Sequence, residues 1–151
     1  MTERILNILK RQEKNINCIF TGKLIETLSE KQLEKILEQI RAIGSIRKSI
    51  VIFDHQLQPE EYGTYIKLGI SPIIVPSDED IHMALEGTDI VLTQHTDILC
   101  LGVVDDILLP MIASSRESKE ILLIAPTKEK IENSLIYADY SIFSEDLSKL
   151  E

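Results

Sequence analysis

Acidic side chains recur where apolar, strand-like runs come to an end, and that is the pattern in this sequence that could do chemistry. Asp54-His55 closes the run at residues 49–53, Ser77-Asp78-Glu79-Asp80 follows the run at 73–75, and Thr93-Gln94-His95-Thr96-Asp97 closes a third at 89–93. In an open parallel sheet, ligands bind beyond the carboxyl ends of the strands. If these three strands are neighbours, three carboxylate clusters converge on one rim. Converging carboxylates suit Mg²⁺ or Mn²⁺, hard ions that take oxygen ligands and neutralise the mutual repulsion. Two such ions can activate water and stabilise a leaving oxygen in phosphodiester cleavage. Asp54, Asp80 and Asp97 are therefore the candidate metal ligands, with His55, Asp78, Thr93 and His95 as candidate ligand-binding neighbours.

Each acid also has a plainer use. Asp54 at a strand end can serve as a turn or cap residue, and acids at 78–80 suit the first turn of a helix. Asp97 can close an Asx-turn. Asp105-Asp106, set between apolar residues on both sides, reads most simply as a helix N-cap.

Other chemistries are missing from the motif inventory. Thr21-Gly22-Lys23 is followed by Leu24, so the phosphate-cradling P-loop pattern is not met. No G-x-G-x-x-G follows a strand, no G-x-S-x-G elbow occurs, and neither cysteine stands beside a histidine. Three histidines are present, none in H-E-x-x-H spacing.

The elements that must position these residues follow from periodicity. Ile5, Leu6, Ile8 and Leu9 among basic residues predict a short amphipathic helix within residues 1–15. Residues 16–21 read as a first buried strand closed by Gly22. Ser29 and Gln32 form a capping-box pair, after which Leu33, Ile36, Leu37, Ile40 and Ile43 recur at helical spacing up to Gly44. Residues 49–54 are a continuous strand-like run, the mark of a strand buried on both faces. Pro59-Glu60-Glu61 suits a helix start, running through Leu68 and ended by Gly69. Further strands are expected at 73–75, 89–93, 120–125 and 140–143. Helices are expected from Ser77 or Asp78 through Glu86, from a start between Asp105 and Pro110, at 128–137 and at 145–150. Strands alternating with helices, each strand apolar throughout, imply a parallel sheet covered on both faces.

Composition bounds what such a fold can do. The 151 residues make one α/β domain, 1–151, long enough to bury about two-thirds of the unfolded chain's surface without a metal or disulfide staple. Sixteen Lys and Arg against 25 Asp and Glu give a net charge of −9. That balance opposes general attraction to nucleic acid or anionic membrane. The most apolar stretch, from residue 98 to 113, is broken by Asp105, Asp106 and Pro110 and is too short to span a bilayer. Cys18 and Cys100, isolated and in apolar settings, read as buried reduced thiols. With no signal-peptide pattern in the opening residues, a cytoplasmic location is expected.

The segment Asp89-Ile90-Val91-Leu92-Thr93-Gln94-His95-Thr96-Asp97-Ile98-Leu99 resembles the T-x-D-x-D-L-L segment of PIN-like and NYN-like ribonucleases. In that family the segment closes a strand and its acids bind the catalytic metal. The run ending in Asp54 is similar to the family's opening strand, and Asp80 corresponds to an intermediate acid. The resemblance spans roughly residues 49–125 and implies Mg²⁺ or Mn²⁺ and an RNA substrate. His95, however, stands where the first Asp of the pair falls, and imidazole is a poor Mg²⁺ ligand. His55 and Gln56 follow Asp54, where many members carry Thr-Asn or Gly-Asn.

The expected fold is a three-layer α/β sandwich with a mostly parallel five- or six-stranded sheet, Rossmann-like or PIN-like. Two functions stand open. One is a non-catalytic α/β module, which the resemblance would make a degenerate member of that family, binding a protein partner or a small ligand. The other is a metal-dependent PIN-like ribonuclease using Asp54, Asp80 and Asp97. The apolar run at 98–112 either lies in the core or forms a patch for a homodimer or another protein partner.

Overall fold

The computed structural model describes residues 14–92 and 95–148. The expected N-terminal helix lies outside them except for its last two residues, and Asn15 already opens the first strand. Six strands alternate with helices: β1 (Asn15–Thr21), α1 (Gly22–Ile25), α2 (Glu30–Ile43), β2 (Ser45–Phe53), α3 (Pro59–Lys67), β3 (Ser71–Ile74), α4 (Glu79–Val91), β4 (Ile98–Gly102), α5 (Leu109–Ser115), β5 (Glu120–Ala125), β6 (Tyr140–Phe143) and α6 (Ser144–Ser148). All pairings are parallel, in the order β3-β2-β1-β4-β5-β6. The chain thus builds outward from β1 to β3, then returns to build from β4 on the other side of β1. The point where the order reverses lies between β1 and β4.

Local chemistry sets the helix boundaries. The Ser29 hydroxyl accepts from Gln32 N, and the Gln32 side chain accepts from Ser29 N, so α2 opens with the expected reciprocal cap. Its buried residues are Leu33, Ile36, Leu37 and Ile40. Gly44 ends it for a steric reason: its backbone is extended, and a Cβ there would stand 2.8 Å from the Lys14 carbonyl oxygen. At Gly69, by contrast, φ is +85°, a conformation that favours glycine.

Alternation along the strands makes two cores. Cys18, Phe20, Val51 and Phe53 face α2 and α3 on one side of the sheet. Ile19, Ile50, Ile52, Leu99 and Leu101 face α4 and α5 on the other. Cys18 and Cys100 turn out to be direct partners in the β1–β4 register, both free and fully buried. Burial, with the neighbouring Cys18 thiol, pushes the Cys100 thiol well above its ordinary value, so that sulfur is not a nucleophile as the protein stands.

Three expectations change. Residues 89–93 do not form a strand: α4 continues through Val91, with Met83, Gly87 and Ile90 buried in helical spacing. The run looked strand-like because α4 is apolar on its outer face too, which blurs the helical period. The fourth strand is instead Ile98–Gly102, whose five residues are all buried. Of the two uses open to the run at 98–112, most of it takes the core one and no partner patch forms along it, with Val103, Leu108 and Ile112 buried and Ile107 exposed. Finally, 128–137 forms two short 3₁₀ turns, Glu129–Ile131 and Ser134–Tyr137, in place of one helix.

Candidate functional site

The carboxyl rim of β1, β2 and β3 gathers the titratable groups of interest. β1 ends at Thr21 and runs straight into α1; β2 ends at Phe53, followed by Asp54 and His55; β3 leads through Asp78 into α4. Asp78 is the N-cap of α4 with φ at 56°, a left-handed conformation that is uncommon outside glycine and best tolerated by Asn and Asp. Glu79, the next residue, is only 4% exposed. Its Oε1 accepts from Thr21 Oγ1 at 2.8 Å and from Gly22 N at 2.9 Å.

Glu79 was not among the acids singled out from sequence, yet it fills the position of most consequence. In this strand order a nucleotide phosphate would be held by the turn after β1. Here the first backbone N–H of that turn is taken by an internal carboxylate. The glycines flanking the order reversal are also occupied: a Cβ on Gly22 would stand 2.4 Å from Phe53 Cδ1, and one on Gly102 2.4 Å from Phe20 Cδ1. Those glycines admit aromatic rings. Nothing in the sequence marks Glu79, since an acid in a first helical turn reads the same whether it points outward or inward.

Outside this plug lies an ionic chain. Lys23 Nζ stands 3.6 Å from Asp80 Oδ2, while His55 contacts Asp54 at 3.0 Å through Nδ1 and Glu26 at 2.7 Å through Nε2. The hydrogen bond with Asp54 is the main reason the His55 imidazolium is held above its ordinary range, and Glu26 adds to it. The Asp54 carboxyl is held below its own range chiefly by His55, with Lys23 contributing. The side chains of Lys23, Glu26, Asp54 and His55 are about half exposed and that of Asp80 is 29% exposed, so the pairs contribute little stability. Their pH signature is readable nonetheless. The raised pKa makes the His55 contribution complete below the unfolded histidine value of about 6.5, and it is lost as pH rises through the folded value. An NMR titration should give His55 a midpoint above about 6.5, and Asp54→Asn should lower it. A midpoint unmoved by that substitution would show that Asp54 does not hold the ring.

The expected metal ligands do not come together. Asp54 and Asp80 lie on the carboxyl rim, each beside Lys23. Asp97 precedes β4, and its Oδ2 accepts from the backbone N of Asn15, the first residue of β1, at 2.7 Å. It therefore lies at the amino end of the sheet. Ile98 pairs with Ile16, whereas Ile52 pairs with Thr21, and that five-residue offset along β1 alone corresponds to about 16 Å at about 3.3 Å per residue. Among the described residues no group of three or more His, Cys, Asp or Glu is arranged to hold a metal ion. His95 is exposed at the same amino end, and its carbonyl accepts from Asn15 Nδ2. Thr93 lies outside the described residues. Asp78 caps α4 by its backbone, with only a 3.5 Å contact to Ser77 Oγ from its side chain. Asp105 accepts from Ile107 N, the Asx-type turn of a helix approach. Asp106 accepts from the backbone and side chains of Asn133 and Ser134, ordering the second 3₁₀ turn.

The chain matches no protein-family profile and no curated protein. Among solved structures, it is similar to a Vibrio parahaemolyticus protein of unknown function, with a TM-score of 0.68 at 12% identity over 87% of this chain and 93% of that one. The fold is Rossmann-like. At that identity the likeness is one of architecture alone: an all-parallel six-stranded sheet between helical layers. Levoglucosan dehydrogenase in complex with NADH aligns with a TM-score of 0.41 and 11% identity, over 83% of this chain but only 32% of the dehydrogenase. This chain thus spans about a third of that enzyme, and the likeness carries no argument about cofactor or substrate. Among the described residues, no helix is long and apolar enough to cross a membrane.

Proposed function

We propose that this chain is a non-catalytic α/β binding module that takes a partner protein on the helical layer carrying α4. The observation behind this reading is an apolar stripe without cations. Ile81, Leu85 and Leu92 are 57%, 63% and 78% exposed and spaced four and seven residues apart, so they share one helix face. Ile107, just before α5, and Ile136, in the second 3₁₀ turn, are exposed on the same side of the sheet. Five of the seven large apolar side chains exposed among the described residues therefore belong to one layer. A clustered apolar surface of this kind marks a contact site more than scattered exposure does.

Charge selects the occupant. α4 itself carries Asp80, Glu86 and Asp89 outside the core and no Lys or Arg. A second copy would bring two acidic helices together, so the stripe fits a basic amphipathic helix of another protein, laid in by its apolar face. The plug at Glu79 supports the same reading, because it occupies the crevice a nucleotide-binding member of this architecture would use. The ribonuclease alternative loses its cation site with Asp97 at the opposite end.

Two synthetic helices with the same leucine stripe, one flanked by lysines and the other by glutamates, test the proposal by fluorescence anisotropy. The lysine helix should bind, and Leu85→Asp should abolish that binding even though it makes the surface more acidic. Nonspecific charge attraction predicts the reverse effect of that substitution. Equal binding of both helices, binding by neither, or a homodimer in sedimentation that Leu85→Asp dissociates would each overturn the assignment.

A further inference from the structure

We infer that a groove at the amino end of β2, on the face of the sheet opposite α4, binds a small carboxylic acid that carries a second polar oxygen. The groove has a volume of about 340 Å³ and is lined by Leu37 and Arg41 of α2, Ser45, Ile46 and Ser49 of β2, and the Leu68-Gly69 turn. That volume is at the small end of the range for small-molecule sites.

A β-bulge shapes its floor. Ile16 pairs with Ile46 but Asn17 pairs with Lys48, so Arg47 is an extra residue in β2. The insertion resets the alternation of side chains. Ile46 packs against the same core as Val51 and Phe53, and Ser49, two residues before Val51, lies on that same face. Without the bulge, Ile46 and Ser49 would point to opposite sides. Gly69, at φ +85°, closes the turn after α3 with no side chain, and a Cβ there would meet nothing within 4 Å.

Among the described residues, two polar groups in this apolar setting have no partner. Ser49 is only 6% exposed, yet its Oγ makes no hydrogen bond. Buried hydroxyls are nearly always satisfied, and one that is not calls for a partner supplied from elsewhere. Arg41 is exposed at the mouth and makes no ion pair among the described residues. Its planar guanidinium offers a carboxylate two parallel hydrogen bonds. An aliphatic body can then lie against Leu37, Ile46 and Leu68, and an oxo or hydroxyl oxygen engages the Ser49 hydroxyl, closed to solvent as it stands, once its side chain turns toward the groove it lines. The class of ligand is a short-chain oxo- or hydroxy-acid. The site shares no residue with the α4 layer, so its failure would leave the partner-binding proposal standing.

Methyl NMR of the full chain tests this with α-ketoisocaproate as the probe, beside isocaproate, which lacks the keto oxygen, and methyl isobutyl ketone, which lacks the carboxylate. The keto acid should shift the Leu37, Ile46 and Leu68 methyls saturably. Isocaproate should bind about fivefold more weakly, and the ketone should cause no saturable shift. Arg41→Gln should weaken the keto acid about tenfold or more. Ser49→Ala, a small change at a group without partners, should fold normally and bind the two acids equally. No saturable shift with the keto acid, unchanged affinity in Arg41→Gln, or a keto-acid preference surviving in Ser49→Ala would each overturn the inference.

Discussion

Glu79→Ala is expected to lower the free energy of unfolding by about 2–4 kcal/mol, the sum of two charge-assisted hydrogen bonds lost and their donors left behind. The magnitude follows from where the donors are. Thr21 and Gly22 are both buried, so water cannot readily replace the carboxylate that Thr21 Oγ1 and Gly22 N now engage. Glu79→Gln keeps an amide oxygen within reach of the same donors and should cost less, about 1 kcal/mol. Urea unfolding of the two variants separates the hydrogen bonds from the shape of the side chain. A cost under about 1 kcal/mol for the alanine variant would mean that the carboxylate does not hold the turn after β1.

The carboxyl rim was half legible in the sequence, and the reason it was not wholly so is a single element. Asp54 and Asp80 were placed on the rim from the strand and helix patterns around them, and both are there, bridged by the charge of Lys23. Asp97 went to the wrong end because residues 89–93 have the apolar density of a strand. Once α4 extends through Val91, the next strand moves to Ile98–Gly102. Asp97 then changes from the residue that closes a strand to the residue that opens one. In a parallel sheet that exchange carries a side chain from one edge of the molecule to the other. The outer apolar stripe of α4, which supports the partner-binding proposal, is the same feature that disguised the helix.

The rest of the architecture was legible wherever local chemistry and burial agree. The Ser29–Gln32 reciprocal cap, the α2 stripe and the strands Glu120–Ala125 and Tyr140–Phe143 are all found where their sequence signals stand. Features that depend on the neighbour's register left no such signal. The bulge at Arg47 exists only relative to β1, and the pairing of Cys18 with Cys100 only relative to the β1–β4 alignment. A thiol's sequence neighbours say nothing of what lies across the ladder.

Leu37→Ala and Ile36→Ala form the second large prediction, and their difference is as informative as their size. Both residues are buried on the sheet-facing stripe of α2, so each truncation should cost about 2–5 kcal/mol, the lost transfer energy plus that of the space left behind. Ile36 is sealed within the core cluster that includes Cys18, Phe20 and Phe53. Its truncation leaves a closed void whose walls lose contacts outright, which places it toward the upper end. Leu37 also lines the groove shared by Arg41 and Ser49. Space opened there joins an existing cleft that solvent can enter, so its cost should fall toward about 2–3 kcal/mol. Chemical denaturation of both variants measures the two values together. A cost under about 1 kcal/mol at Leu37 would remove it from the core stripe. Equal losses at the two positions would show that the groove closes over the missing side chain, because only a site sealed from water would make Leu37 as costly as Ile36.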